Sequence, residues 1–87
     1  MMRLFFTDRF RKAYRSLATD DQGRVQKAIR LMSSDLRHPG LRVKRVKGTQ
    51  NIWEARASKS LRITFETEGD ALILRNVGHH DQTLKKP

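Results

Sequence analysis

The sequence predicts an α+β domain in the order β-α-α-β-β-β-β, with a two-helix hairpin packed on one face of a mainly antiparallel sheet. Three observations lead there. Apolar residues recur at three- and four-residue spacing from Phe10 to Leu36, the signature of amphipathic helices. From Ile52 to Glu66, apolar and polar residues instead alternate on both sides of Ser58-Lys59-Ser60, the pattern of an antiparallel hairpin. Ala71-Leu72-Ile73-Leu74-Arg75-Asn76-Val77 is apolar on both faces over much of its length, as a strand inside a sheet is.

Taken in order, Arg3-Leu4-Phe5-Phe6 reads as a short first strand. Thr7 or Asp8 then caps a helix whose apolar stripe is Phe10, Ala13, Tyr14 and Leu17. Arg9, Arg11, Lys12 and Arg15 lie largely off that stripe, as a solvated face or a surface for phosphates. Ala18–Gln22 breaks the helix and starts another. Thr19 with Gln22 fits a capping box, and Asp20 and Asp21 favour a helix amino terminus. Val25, Ala28, Ile29, Met32 and Leu36 mark a second amphipathic helix, which His38-Pro39-Gly40 ends. Leu41–Lys47 reads as a strand running to the Gly48-Thr49-Gln50-Asn51 turn, and four of its seven residues are basic. Thr67-Glu68-Gly69-Asp70 turns the chain into Ala71–Val77, and Gly78–Pro87 is a short polar tail.

With 87 residues, no internal repeat and no linker, the expectation is one domain over 1–87. The absence of cysteine excludes a disulfide framework and a thiolate metal site, and suits a reducing compartment. Asp8, Arg9, Arg11 and Lys12 interrupt the apolar start too soon for a signal peptide or membrane span, so a cytoplasmic protein without a membrane partner is expected. Nineteen Lys and Arg against nine Asp and Glu leave a formal net charge of +10. Such a field attracts polyanions, of which nucleic acid is the commonest in a cytoplasm; an acidic protein answers it equally well.

Alternation divides the hairpin into two faces. Trp53, Ala55 and Ala57 share one with Leu61, Ile63 and Phe65, while Glu54, Arg56, Arg62, Thr64 and Glu66 take the other. A carboxylate among guanidiniums is either a site or a solvated salt-bridge ladder, and the residues alone leave both open. His79-His80-Asp81 does not make a metal site, because neighbours on a strand point to opposite faces and no His-x-x-x-His pair exists. No metal and no cofactor are expected. Neither a nucleotide-binding glycine loop nor a nucleophile elbow is present. What remains is a basic sheet face and a histidine able to titrate near neutrality. Cleavage of RNA by its own 2′-hydroxyl needs a base, cations for the phosphorane charge and an acid for the leaving 5′-oxygen. Glu54, Arg56, Arg62, Lys44 and His80 contain each of these types.

The order of elements resembles that of the RelE/ParE superfamily, the small toxins of bacterial type II toxin–antitoxin modules. So do Val43-Lys44-Arg45-Val46-Lys47-Gly48, Trp53-Glu54-Ala55-Arg56, Leu61-Arg62-Ile63 and Val77-Gly78-His79-His80-Asp81. The resemblance covers essentially the whole chain. For the RelE branch it implies a ribonuclease that enters the ribosomal A site and cuts the mRNA there, with ribosome, mRNA and a neutralising cognate antitoxin as partners. Lys44 falls where relatives place a basic residue or histidine, and Glu54 and Arg56 fall on the strand that carries acid–base residues. Arg62 falls on the phosphate-binding arginine, and His80 where an arginine or histidine serves the leaving group. The RNA contacts implied are Lys44, Arg45, Lys47, Arg56, Arg62, Lys85 and Lys86.

One position departs from the pattern. Many active relatives carry Tyr or Phe six residues after the glycine, where it stacks on a base, and this chain has Leu84. Lost stacking is of the order of 1–3 kcal/mol per base. The departure leaves room for the ParE branch, which resembles inhibitors of DNA gyrase without nuclease chemistry. A basic nucleic-acid-binding module without toxicity is the third reading.

Overall fold

Cross-strand register turns the alternating stretch into two distinct surfaces. In the computed structural model, which describes residues 1–87, β3 (Trp53–Arg56) and β4 (Leu61–Glu68) form the hairpin. Trp53 pairs with Phe65, Ala55 with Ile63, and Arg56 with Arg62, so like faces like across the ladder. β4 returns through a turn in which Gly69 adopts a left-handed φ of 59°, and pairs antiparallel with β5 (Ala71–His79). β1 (Arg3–Phe6) runs parallel to β5, and β2 (Lys44–Arg45) antiparallel to β3. The sheet order is β1-β5-β4-β3-β2, mainly antiparallel as expected.

Both amphipathic helices pack on one face. In α1 (Asp8–Arg15), Phe10 is buried; in α2 (Thr19–Ser34), Val25, Ala28, Ile29 and Met32 are. They meet Ala55, Leu61, Ile63, Phe65, Leu72, Leu74 and Val77 of the sheet in a single cluster. Burying each large apolar side chain of this kind stabilises by roughly 1.5–3 kcal/mol. One irregularity makes the set possible. Thr64 pairs with Asn76 but Phe65 pairs with Leu74, so Arg75 is an extra residue on β5. That bulge shifts the face parity, so Leu72, Leu74 and Val77 all reach the core despite the odd spacing between the last two. The apolar-on-both-faces look of Ala71–Val77 is in part this shift.

Thr7, not Asp8, caps α1: its hydroxyl accepts from the Phe10 N–H at 3.1 Å and donates to the Leu74 carbonyl at 2.8 Å. The capping box expected at Thr19 does not form. Gln22 N–H already bonds to the Ala18 carbonyl, so the helix begins with Thr19 inside it. The Gln22 side chain instead donates to the Tyr14 carbonyl at 3.0 Å and fastens the corner between the helices. α2 stops at Ser34, before His38-Pro39-Gly40, and His38 caps a 3₁₀ turn over Pro39–Leu41 through Nδ1. The strand expected over Leu41–Lys47 shrinks to Lys44–Arg45, because this turn and the left-handed Arg42 occupy its start.

The largest difference is the tail. His80–Lys85 forms α3, which lies on the sheet face that carries Glu54 and Thr64, opposite α1 and α2. Thr83 is buried there, and a Cβ on Gly78 would lie 2.7 Å from its Oγ1, so glycine is what permits this close approach. Thr64 donates to the Pro87 carbonyl at 2.8 Å and Asn76 to the Lys86 carbonyl at 3.1 Å, holding the segment down. No helix of the molecule is long and apolar enough to cross a membrane.

Candidate functional site

The polar face is organised in rows across the strands. Lys44, Glu54, Thr64 and Asn76 are successive partners from β2 to β5, and Arg56, Arg62 and Gly78 form the next row. Alternation therefore collects the carboxylate and both arginines on one surface, as expected from the hairpin. α3 then shields part of it. Glu54 is buried, and its Oε1 lies 3.6 Å from Arg62 Nε, with side chains only 5% and 14% exposed. This is not the solvated ladder of the bland alternative.

The loop between β3 and β4 fixes the cations. Arg62 Nη1 donates to the carbonyls of Ser58, Lys59 and Leu61 at 3.1, 3.3 and 3.0 Å. Arg56 Nε donates to the same Ser58 carbonyl at 3.3 Å. Burial, followed by the nearby Arg56 charge, pushes the Arg62 pKa below its ordinary value; Glu54 opposes the shift and Arg42 adds to it. A guanidinium remains charged under such a shift. The consequence is a cationic pair short of counter-charge, held rigidly by backbone carbonyls, which an anion such as a phosphate would relieve.

His80 opens α3, so the strand-neighbour argument that set it opposite His79 does not apply: it is a helix residue. Its backbone N–H donates to the Ser60 carbonyl at 2.7 Å, which ties the start of α3 to the loop that holds Arg56 and Arg62. The imidazole is half-exposed, with Nδ1 3.1 Å from Asp81 Oδ1. On the other side of Glu54, a cleft of about 220 Å³ is lined by Lys44, Arg45, Val46, Lys47, Glu54 and Leu84. Leu84 therefore sits beside the carboxylate. Arg45 pairs with Trp53 and alternates away from Lys44. Lys85 and Lys86 are exposed at the far end of α3. No three His, Asp or Glu side chains converge to hold a metal ion.

Sequence reasoning missed the loop carbonyls that grip the arginines, the Thr64–Asn76 clamp on the tail, and Arg42. The spacing of Ser58-Lys59-Ser60 marked a loop but not its role. The clamp is invisible until α3 is placed.

This arrangement sits on the fold of the RelE-like toxins. No protein-family model matches the sequence, and no curated protein matches it either. Solved structures do. A copper-bound mutant toxin from Helicobacter pylori superposes with a TM-score of 0.77 at 20% identity, over 94% of this chain and 98% of that one. The RelB–RelE antitoxin–toxin complex from Methanococcus jannaschii gives 0.71 at 22% identity, over 95% and 98%. YafQ from Escherichia coli gives 0.78 at 10% identity, again over 95% and 98%. At these identities the likeness establishes the fold, and the chemistry has to be argued from the site.

Proposed function

We propose that the protein is the toxin of a type II toxin–antitoxin module, and that it is a ribosome-dependent mRNA endoribonuclease neutralised by a cognate antitoxin. The observation that carries this reading is the shielded Glu54–Arg62 pair, with Arg56 directly across the ladder from Arg62, on a strongly basic chain. Arg56 and Arg62 hold the scissile phosphate and stabilise the charge of the phosphorane. Glu54 or Lys44 takes the proton of the 2′-hydroxyl, and His80 supplies one to the leaving 5′-oxygen. Lys44, Arg45, Lys47, Lys85 and Lys86 contribute contacts to the RNA backbone. Support for an antitoxin comes from similar structures that are antitoxin–toxin complexes. Acting on translation, the protein works in the cytoplasm.

A second reading has one observation in its favour. Leu84 lines the cleft beside Glu54, where a base-stacking aromatic would serve a nuclease. An inhibitor of DNA gyrase that acts by contact needs no such ring. Cleavage of mRNA on programmed ribosomes separates the two. His80→Ala should lose cleavage about a hundredfold or more and remain folded, because its hydrogen bond to Ser60 is made by the backbone. Arg62→Ala should lose cleavage with a defect largely independent of pH. Full activity of a folded His80→Ala variant removes His80 from the mechanism. An inert wild type, with replication arresting before translation after induction, transfers the argument to gyrase.

A further inference from the structure

The cations on this face extend beyond those assigned to the reaction. Arg42 follows the Pro39–Leu41 turn with φ 47° and ψ 47°, and is the one non-glycine residue with positive φ. Side-chain-bearing L-residues disfavour this conformation, and such outliers concentrate where function holds them. Here the left-handed residue ends the 3₁₀ turn, with Leu41 buried before it as the anchor. Its placement opens a cleft of about 470 Å³ against the β3–β4 loop, lined by Gly40, Arg42, Arg56, Ala57, Ser58 and Lys59.

Three cationic residues thus line one cleft, and Arg56 belongs to both it and the candidate site. Arg42 and Lys59 are exposed, and neither has a carboxylate within ion-pair distance. The Arg42 charge is close enough to act on Arg62. A strand of nucleic acid carries a negative charge at every nucleotide, so a phosphate held by Arg56 and Arg62 brings the next one within the same field.

We infer that Arg42, with Arg56 and Lys59, forms a second phosphate subsite that holds the RNA backbone one nucleotide from the scissile phosphate. This rests on the nuclease reading for its substrate, but its test does not depend on cleavage. Arg42 is a positioning residue: it orients the strand and takes no part in proton transfer.

The test uses the full chain and a single-stranded RNA oligonucleotide whose 2′-hydroxyls are methylated, so that it binds without being cut. Arg42→Gly is the informative variant, since glycine adopts positive φ freely and the fold is under no added strain. Arg42→Lys restores the charge, and Lys27→Ala removes one charge from an exposed position on α2, away from the cleft. Arg42→Gly should bind about tenfold more weakly, and the slope of log affinity against log salt should shrink by about 0.7, the loss of one single-strand phosphate contact. Lys27→Ala should leave the slope unchanged, and Arg42→Lys should recover it. On programmed ribosomes Arg42→Gly should raise KM with kcat retained.

Equal behaviour of Arg42→Gly and Lys27→Ala overturns the subsite while leaving the nuclease reading intact. Binding that depends on Arg42 in a wild type that never cleaves keeps the subsite and removes the nuclease. A wild type that binds no RNA but captures an acidic peptide through Arg42 overturns the subsite, and cleavage on programmed ribosomes then decides the nuclease reading by itself.

Discussion

The two faces of the sheet are made from alternate residues of the same strands, yet burial means different things on each. Under α1 and α2, Ala55, Leu61, Ile63 and Phe65 are wholly buried among other apolar side chains. Under α3, Glu54 and Thr64 are nearly as inaccessible, but their neighbours are arginines and backbone carbonyls. The first kind of burial removes apolar area from water and stabilises in proportion. The second removes polar groups from water and recovers the cost only through their hydrogen bonds and charge partners. A fold has no thermodynamic need for a buried carboxylate at Glu54. On the function proposed above, the pair belongs to a surface kept ready for an anion.

The sharpest way to break this contrast is to cut one residue from the core face. Phe65→Ala should destabilise by about 3–5 kcal/mol, the transfer term plus the cavity left among Leu74, Trp53 and the helices. Denaturant unfolding followed by circular dichroism measures it. A loss no larger than that of a polar-face substitution would mean that α1 and α2 are not the main source of stability.

Next in size is the ion pair, where the two kinds of burial give opposite signs for single and double changes. Arg62→Ala strands the Glu54 carboxylate and gives up three hydrogen bonds to loop carbonyls, so a loss of about 1–3 kcal/mol is expected. Replacing both residues by apolar ones, Glu54→Leu with Arg62→Leu, should return much of that loss, since a buried pair is seldom better than packing of similar volume. RNA binding should vanish in the double variant even as stability recovers. Strictly additive losses would show that Glu54 and Arg62 do not couple, and that the pair contributes nothing as a pair.

How much of this was legible follows from where the information sits. The face division at Trp53, Glu54, Ala55 and Arg56 is local and survives folding unchanged, because a strand alternates whatever surrounds it. The cap of α1 was likewise placed locally, at Thr7 or Asp8, since a capping side chain reaches only three residues along the chain, and the structure chooses Thr7. α3 was not legible. His80–Lys85 is too short to be helical alone and has no apolar stripe; Thr83 and the clamp from Thr64 and Asn76 hold it, and those contacts cross the whole hairpin. The Arg75 bulge was hidden for the same reason, and it made a one-faced strand look two-faced. At the site, a solvated ladder was the more ordinary reading of these residues beside a functional one, and the burial of Glu54 and Arg62 removed the solvated version. Arg42 gave no local signal, because its left-handed backbone is imposed by the turn before it.

The smallest expected effect comes from an ion pair that belongs to neither face. Arg3 donates to Asp70 Oδ1 at 3.0 Å across the open end of β1 and β5, with side chains 64% and 63% exposed. Water surrounds both groups, so this pair should matter far less than Glu54–Arg62. Its pH dependence has a definite sign. The hydrogen bond from Arg3 holds the Asp70 carboxyl below its ordinary value, with desolvation opposing and the Arg3 charge helping. A carboxyl whose pKa is lower folded than unfolded stabilises the fold above the unfolded value, about 4. It loses that contribution as the pH falls through the lower folded value. Asp70→Asn keeps the backbone carbonyl that accepts from Arg3 N–H, so it removes the charge and little else. The melting temperature of Asp70→Asn should therefore lie slightly below wild type at pH 7 in low salt. The gap should close as the solution is acidified, and it should also close in about 1 M salt, where exposed charges are screened within about 3 Å. A gap that persists unchanged through the acid range would mean that Asp70 acts through its shape and not its charge. A gap as large as the Arg62→Ala deficit would erase the distinction between exposed and shielded pairs.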